Sequence, residues 1–256
     1  MSAYDMFRRM GFGLAGGGPG RGRGPGTGAG GRGRGRGRGG RGGGGVSTPS
    51  FPFTLEDSGN FNWSGTTNLG TKTFGAESAG RVLVLTFGWA RQGIAREVTA
   101  VSIGGVSATH VIRHVDGTAL RNAEIWYVQL DSGTSGNVTI TFDGTGGTDN
   151  GGQYTLYNLP GFTATPASSG DMNGGEETSV QSAGAIFVVG VERDRATAVS
   201  FSANGDAGLT EDAASIFSSG VSHSFAASSS QIGGGAYTFN ASNPSSNDSS
   251  VLARWV

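Results

Sequence analysis

The chain has 256 residues and no cysteine, which excludes a disulfide framework and a thiolate metal site. Its formal net charge of −1 conceals a division. Residues 1–45 hold nine Arg against one acid, Asp5, for about +8, and the remainder holds nine cations against eighteen acids, for about −9. A cationic arm is joined to an anionic body, and that asymmetry bears on partners more than the net value does. Glycine is divided in the same way, with 21 of its 50 residues in the first 45. No apolar run approaches the roughly 20 residues needed to cross a bilayer. Met1 to Gly13 contains no continuous apolar stretch of a secretory core. Folding in a cytoplasm is therefore expected, without membrane insertion.

Residues 1–15 carry the one helical pattern near the start. Ala3, Met6, Phe7, Met10 and Leu14 fall at i, i+3, i+4, i+7 and i+11, which is one helix face. Gly11 suits a helix stop, leaving about two turns, and helices shorter than roughly 12–15 residues are marginal in water. A short amphipathic docking peptide is expected, with these five residues facing a partner. Residues 16–50 form a Gly/Arg-rich tether. Arg32, Arg34, Arg36 and Arg38 alternate with Gly, and Arg41 follows. This stretch lacks the apolar area to offset its chain entropy. Its period of two excludes a collagen triple helix, which needs Gly at every third position. A Gly-rich chain of this length spans roughly 30–35 Å.

Residues 51–256 read as an all-β body of β-sandwich or jelly-roll type. Val82 to Trp89 is apolar on both faces, as a central strand requires. Val98 to Ile112 reads as a hairpin about Gly104-Gly105, with Ile103 opposite Val106 and Val101 opposite Ala108, all four on one face. Asn137 to Asp143 alternates, placing Val138, Ile140 and Phe142 inward and Thr139 and Thr141 outward. Further strands are expected at 124–130, 154–159, 185–192, 199–202, 221–226, 236–241 and 251–256, with one short helix in Thr210–Phe217. The C-terminal strand makes Arg254–Val256 structural.

Candidate chemistry is sparse. His110 and His114 have a His-x3-His spacing with Asp116 nearby. On a strand, residues four apart share a face but lie roughly 13 Å apart, so a histidine pair at the surface or a sheet edge is expected rather than a metal site. The acidic loop from Asp143 to Asn150 lacks the alternating ligands of an EF-hand and reads as a polar hairpin loop, as does the cluster Asp171, Glu176 and Glu177. The body contains neither a Gly-x-Ser-x-Gly elbow nor a phosphate-binding loop. No catalytic residue, metal or cofactor is expected. The Arg-Gly run could contact phosphates, but it carries no aromatic between Phe12 and Phe51 for base stacking. A spacer or a surface-lying arm is the favoured reading, and nucleic-acid binding is the alternative.

The order of GRVLVLTFGW, VTAVSIGGVSATHV, AEIWYVQLDSGTSGNVTITFDGT and AGAIFVVGVE resembles a β-sandwich module recurrent in structural proteins of tailed-phage virions and related particles. The resemblance covers residues 74–256. It implies a non-enzymatic virion accessory role, as head decoration, head fibre or tail fibre. The implied partners are capsid or tail proteins of the same particle, in an oligomeric assembly. A host surface glycan is a further partner, with Trp63, Trp89 and Trp126 as aromatic candidates, although burial in the core is the better expectation for Trp89 and Trp126.

Overall fold

The computed structural model describes residues 52–90, 96–116, 120–145, 151–171, 176–181, 184–193, 201–203, 209–217, 222–232, 235–241 and 249–256. The docking-peptide residues Ala3, Met6, Phe7, Met10 and Leu14 lie outside these, as do Arg32, Arg34, Arg36, Arg38 and Arg41 of the arm. The described chain is all-β, in antiparallel sheets.

Nine strands come from the first half: β1 (Thr54–Phe61), β2 (Thr66–Thr73), β3 (Val82–Ala90), β4 (Val98–Ile103), β5 (Val106–Ser107), β6 (Thr109–Val115), β7 (Arg121–Gln129), β8 (Ser135–Phe142) and β9 (Gly151–Leu159). They form one sheet in the order β1-β9-β3-β7-β6 and a second in the order β2-β8-β4-β5. Eight come from the second half: β10 (Ser168–Asp171), β11 (Glu176–Gln181), β12 (Gly184–Arg193), β13 (Phe201–Ala203), β14 (Thr210–Phe217), β15 (Ser222–Ile232), β16 (Gly235–Ala241) and β17 (Ser249–Trp255). They form a sheet β10-β17-β12-β15-β14 and a sheet β11-β16-β13. The second half repeats the first strand for strand. Replacing β1, β9, β3, β7 and β6 by β10, β17, β12, β15 and β14 reproduces the order, and β2-β8-β4 becomes β11-β16-β13. Among the described residues only the two-residue β5 has no counterpart.

The β1-β9-β3-β7-β6 sheet is a middle layer. Leu83, Leu85, Phe87 and Trp89 of β3 face a core shared with Val101, Ile103, Val138, Ile140 and Phe142 of the β2-β8-β4-β5 sheet. The alternate residues Val82 and Val84 face a second core, shared with Ala185, Phe187, Val189, Val251, Ala253 and Trp255. All nine residues of β3 are buried, because the strand has a sheet on each side, and its one polar residue, Thr86, meets Thr155 of β9. In the β12 sheet, Ile186, Val188 and Leu252 point away from the middle layer and are buried as well. That sheet is therefore covered on both faces too.

The expected inward set of β8 is observed: Val138, Ile140 and Phe142 are buried, while Thr139 and Thr141 are half-buried. The Gly104-Gly105 hairpin forms with Ile103 opposite Val106. Both glycines have positive φ, 62° and 81°, as a turn matching the strand twist requires. The hairpin is shorter than expected and its four residues do not share a common environment. Ile103 is buried, whereas Val106 is 42 % exposed. Ala108 donates its N–H to Val101 O at 2.8 Å, and the chain then crosses to the other sheet as β6. The helix expected in Thr210–Phe217 is instead strand β14, paired antiparallel with β15 from Thr210↔Ser228 to Phe217↔Ser222. Its Ala and Glu content favours a helix, but pairing along β15 overrides so weak a propensity. Trp63 is also no surface aromatic. It is 1 % exposed, stacks on Phe142 at 4.7 Å and donates its indole N–H to Ala90 O at 3.3 Å.

Candidate functional site

The polar groups of the body fall into clusters, and most of them hold loops and layers together. Arg81 is fully buried. Its guanidinium donates to the carbonyls of Phe74, Gly75 and Ala76 on one side and of Leu130, Ser132 and Gly133 on the other. The planar fork of Arg suits this bridging of two loops, which a point-like ammonium could not reproduce. Asp116 is placed at the β6–β7 turn, where it pairs with buried Arg121 at 2.9 Å and accepts the N–H of Leu120 at 2.8 Å. These contacts hold the turn closed.

The two histidines do not share a face. A β-bulge between His110 and Ile112 shifts the alternation by one residue. His110 stands opposite Trp126 and Arg113 opposite Glu124, so these four occupy one side of the β6–β7 pair. His114 turns to the other side, where it is buried and its Nδ1 lies 3.2 Å from Ser249 Oγ of β17. The expected surface or edge pair is half right. β6 is a sheet edge, but His114 is interior and pins the middle layer to the β12 sheet. Among the described residues no group of three or more His, Cys, Asp or Glu is arranged to hold a metal ion. Of the acidic loop, Asp143 lies within the described residues and ties down the start of β4. It accepts the N–H of Glu97 at 3.2 Å and lies 3.8 Å from Arg96. Residues 146–150 lie outside the described residues, as do the side chains of Asp171, Glu176 and Glu177.

The four residues gathered by the bulge line a cleft of about 440 Å³ with Val98 of β4. The cleft opens between the edges of the two sheets of the first half. Glu124 forms its floor and is wholly buried. One carboxylate oxygen accepts the Trp126 indole N–H at 2.8 Å and the other the Trp89 indole N–H at 3.5 Å. Burial pushes the Glu124 carboxyl up to about 7, and the Trp126 N–H, the Arg113 charge and the Trp89 N–H only partly oppose it. His110 lies above, its ring 4.7 Å from that of Trp126 and its Nε2 4.0 Å from Glu124 Oε2. Partial burial, and then the Arg113 charge, lower its pKa. Arg113 reaches across to Glu97 at 2.9 Å, closing one end of the cleft with a solvent-exposed ion pair.

A titratable group strongly shifted by burial, at the base of a cleft with a second titratable ring over it, has the character of a functional site. Of the candidates raised by sequence, the structure brings His110 and Trp126 together here. It adds Glu124, Arg113 and Val98. Glu124 was detectable in principle as the one charged residue in the apolar run Ala123 to Val128. Arg113 was not, because plain alternation from His110 assigns it to the opposite face. Comparison with family models, curated proteins and solved structures finds no match.

Proposed function

We propose that this chain is a non-enzymatic accessory protein of a virion. Residues 2–14 anchor it to capsid or tail proteins of the particle, residues 16–45 serve as tether, and a β-sandwich body is displayed for surface decoration or host attachment. The observation that carries the reading is the contrast along one chain. An amphipathic segment too short to stand alone precedes a Gly/Arg stretch without aromatic residues or aliphatic ones larger than Ala29. A body whose middle sheet is buried on both faces follows. Such layering suits a rigid displayed head, because its strands are held from two sides and its internal ion pairs and Arg81 contacts lock the connecting loops. The N-terminal residues 1–45, at about +8 against a body at about −9, support an electrostatic arm lying along acidic protein surface.

Mass spectrometry of purified source particles is expected to find the chain. Deletion of residues 2–14 is expected to abolish incorporation while the body keeps its melting temperature. Absence of the full-length chain from particles would refute the reading. Salt-dependent binding of DNA or RNA by residues 1–45, falling steeply between about 50 and 200 mM salt, would favour the nucleic-acid alternative instead.

A further inference from the structure

The repeated winding supplies an internal comparison for the β4–β6 cleft. Both β6–β7 and β14–β15 carry a bulge at the same place, between His110 and Ile112 in one and between Glu211 and Ala213 in the other. The pairs that follow, Ile112↔Ile125 and Ala213↔Ala226, are therefore equivalent. By that register Glu124 corresponds to Phe225, Arg113 to Ala214, Trp126 to Ala227 and His110 to Glu211. The same strand order and the same bulge form without the His–Arg–Glu–Trp set. The topology does not demand a buried carboxylate here, and burying one is costly. At this position the carboxyl accepts the buried indole N–H groups of Trp89 and Trp126, and the second winding has Ala227 where Trp126 stands.

We propose that this cleft binds a neutral polyhydroxylated ligand, a saccharide unit, between Arg113, His110 and the Glu124 carboxyl. The inference deepens the display reading above by naming what the displayed body holds. The lining selects by charge. Arg113 opposes a cationic ligand, and Glu124 opposes an anionic one once it is ionised, above about pH 7. A ligand carrying adjacent hydroxyls satisfies both, since one hydroxyl donates to a carboxylate while its neighbour accepts from a guanidinium. The capacity is present. A carboxylate has about four acceptor sites and a guanidinium five donors. Glu124 uses two of its sites on indole N–H groups, and Arg113 one of its donors on Glu97. Val98 and Trp126 provide apolar wall for the C–H face of a sugar ring. The volume lies within the roughly 300–1,000 Å³ usual for small-ligand sites. Glu124 is closed off by His110, whose side chain is 43 % exposed on an edge strand. In this proposal the ligand approaches the carboxyl from the His110 side, by rotation of that ring.

The test uses the full chain with glucose, galactose, mannose and N-acetylglucosamine as neutral probes, and methylammonium and acetate as charged ones. Binding is read by saturation-transfer NMR and tryptophan fluorescence. At least one neutral sugar is expected to bind at millimolar concentration, with a change in emission from Trp126. R113A is expected to weaken binding about tenfold or more, the scale of a lost charge-assisted hydrogen bond. V98W, which fills the cleft from the opposite wall, is expected to abolish it, so the inference stays testable should R113A fail to fold. Overturning results are binding of none of the four sugars, binding of the charged probes alone, or sugar binding that neither variant alters. Sugar binding lost in both variants, by a protein absent from particles, would refute the virion reading and leave this site standing.

Discussion

Glu124 shows how one buried group ties stability to pH. Its carboxyl titrates at about 7 in the folded chain against an ordinary 4.5. Between those values the folded state holds a proton that the unfolded state has released. The stabilisation is fully present below pH 4.5 and is lost as pH rises through 7, by on the order of 3 kcal/mol. His110, with its pKa lowered below 6.5, works in the opposite sense within that same range. Urea midpoints at pH 5 and pH 8 are expected to show this loss in the wild type once the His110 contribution is held fixed by comparison with E124Q, in which the Glu124 part vanishes. Equal pH dependence in the two proteins would show that Glu124 does not titrate between them. Arg81 makes a different demand. A lysine cannot reach carbonyls on both the 74–76 and 130–133 loops, so R81K leaves several buried acceptors unpaired. A loss of about 2–4 kcal/mol is expected, read as a fall in melting temperature. A change under ~0.5 kcal/mol, typical of a surface site, would mean that the guanidinium bridge is not what holds these loops.

Most strands legible in the sequence are interior to their sheets, although the edge strand β13, expected at 199–202, was legible as well. β3, β7, β8, β9, β12 and β17 are interior to their sheets or carry a fully apolar face, and their Val, Ile, Leu and aromatic content marks them. The strands with no such signature are β1, β2, β10 and β11, and each is a sheet edge. Edge strands need little apolar side chain, and Ser, Thr, Gly and Asn in such stretches read as turns. β14, which looked helical, is an edge as well. The last strand is the converse case. β17 lies between β10 and β12, Trp255 is fully buried, and the carbonyls of Arg254 and Val256 accept the N–H groups of Ala167 and Thr163. Deletion of Arg254–Val256 is expected to cost about 3–5 kcal/mol from the lost tryptophan alone. An unchanged melting temperature would contradict the central placement of this strand.

At the scale of the whole body, the two windings share one apolar interface. Val82, Val84, Ile125, Tyr157 and Leu159 from the first meet Phe187, Val189, Val251 and Trp255 from the second, and His114 with Ser249 adds a polar pin. A fragment ending near residue 166 would leave the first set in water. Exposed apolar surface beyond a few hundred Å² drives association. The isolated first half is therefore expected to self-associate in analytical ultracentrifugation or to be insoluble, although it contains every residue of the β4–β6 cleft. A stable monomeric fragment would show that the windings are independent domains. The sequence alone determined the all-β character, the central strands, the inward set of β8 and the Gly104-Gly105 turn, because periodicity and turn chemistry are local. The repeat, the middle layer and the cleft were decided by tertiary structure. The repeat is written in strand order rather than in residue identity. The cleft depends on a single-residue bulge at His110, which no local pattern announces and which alone turns Arg113 toward Glu124 and His114 away from it.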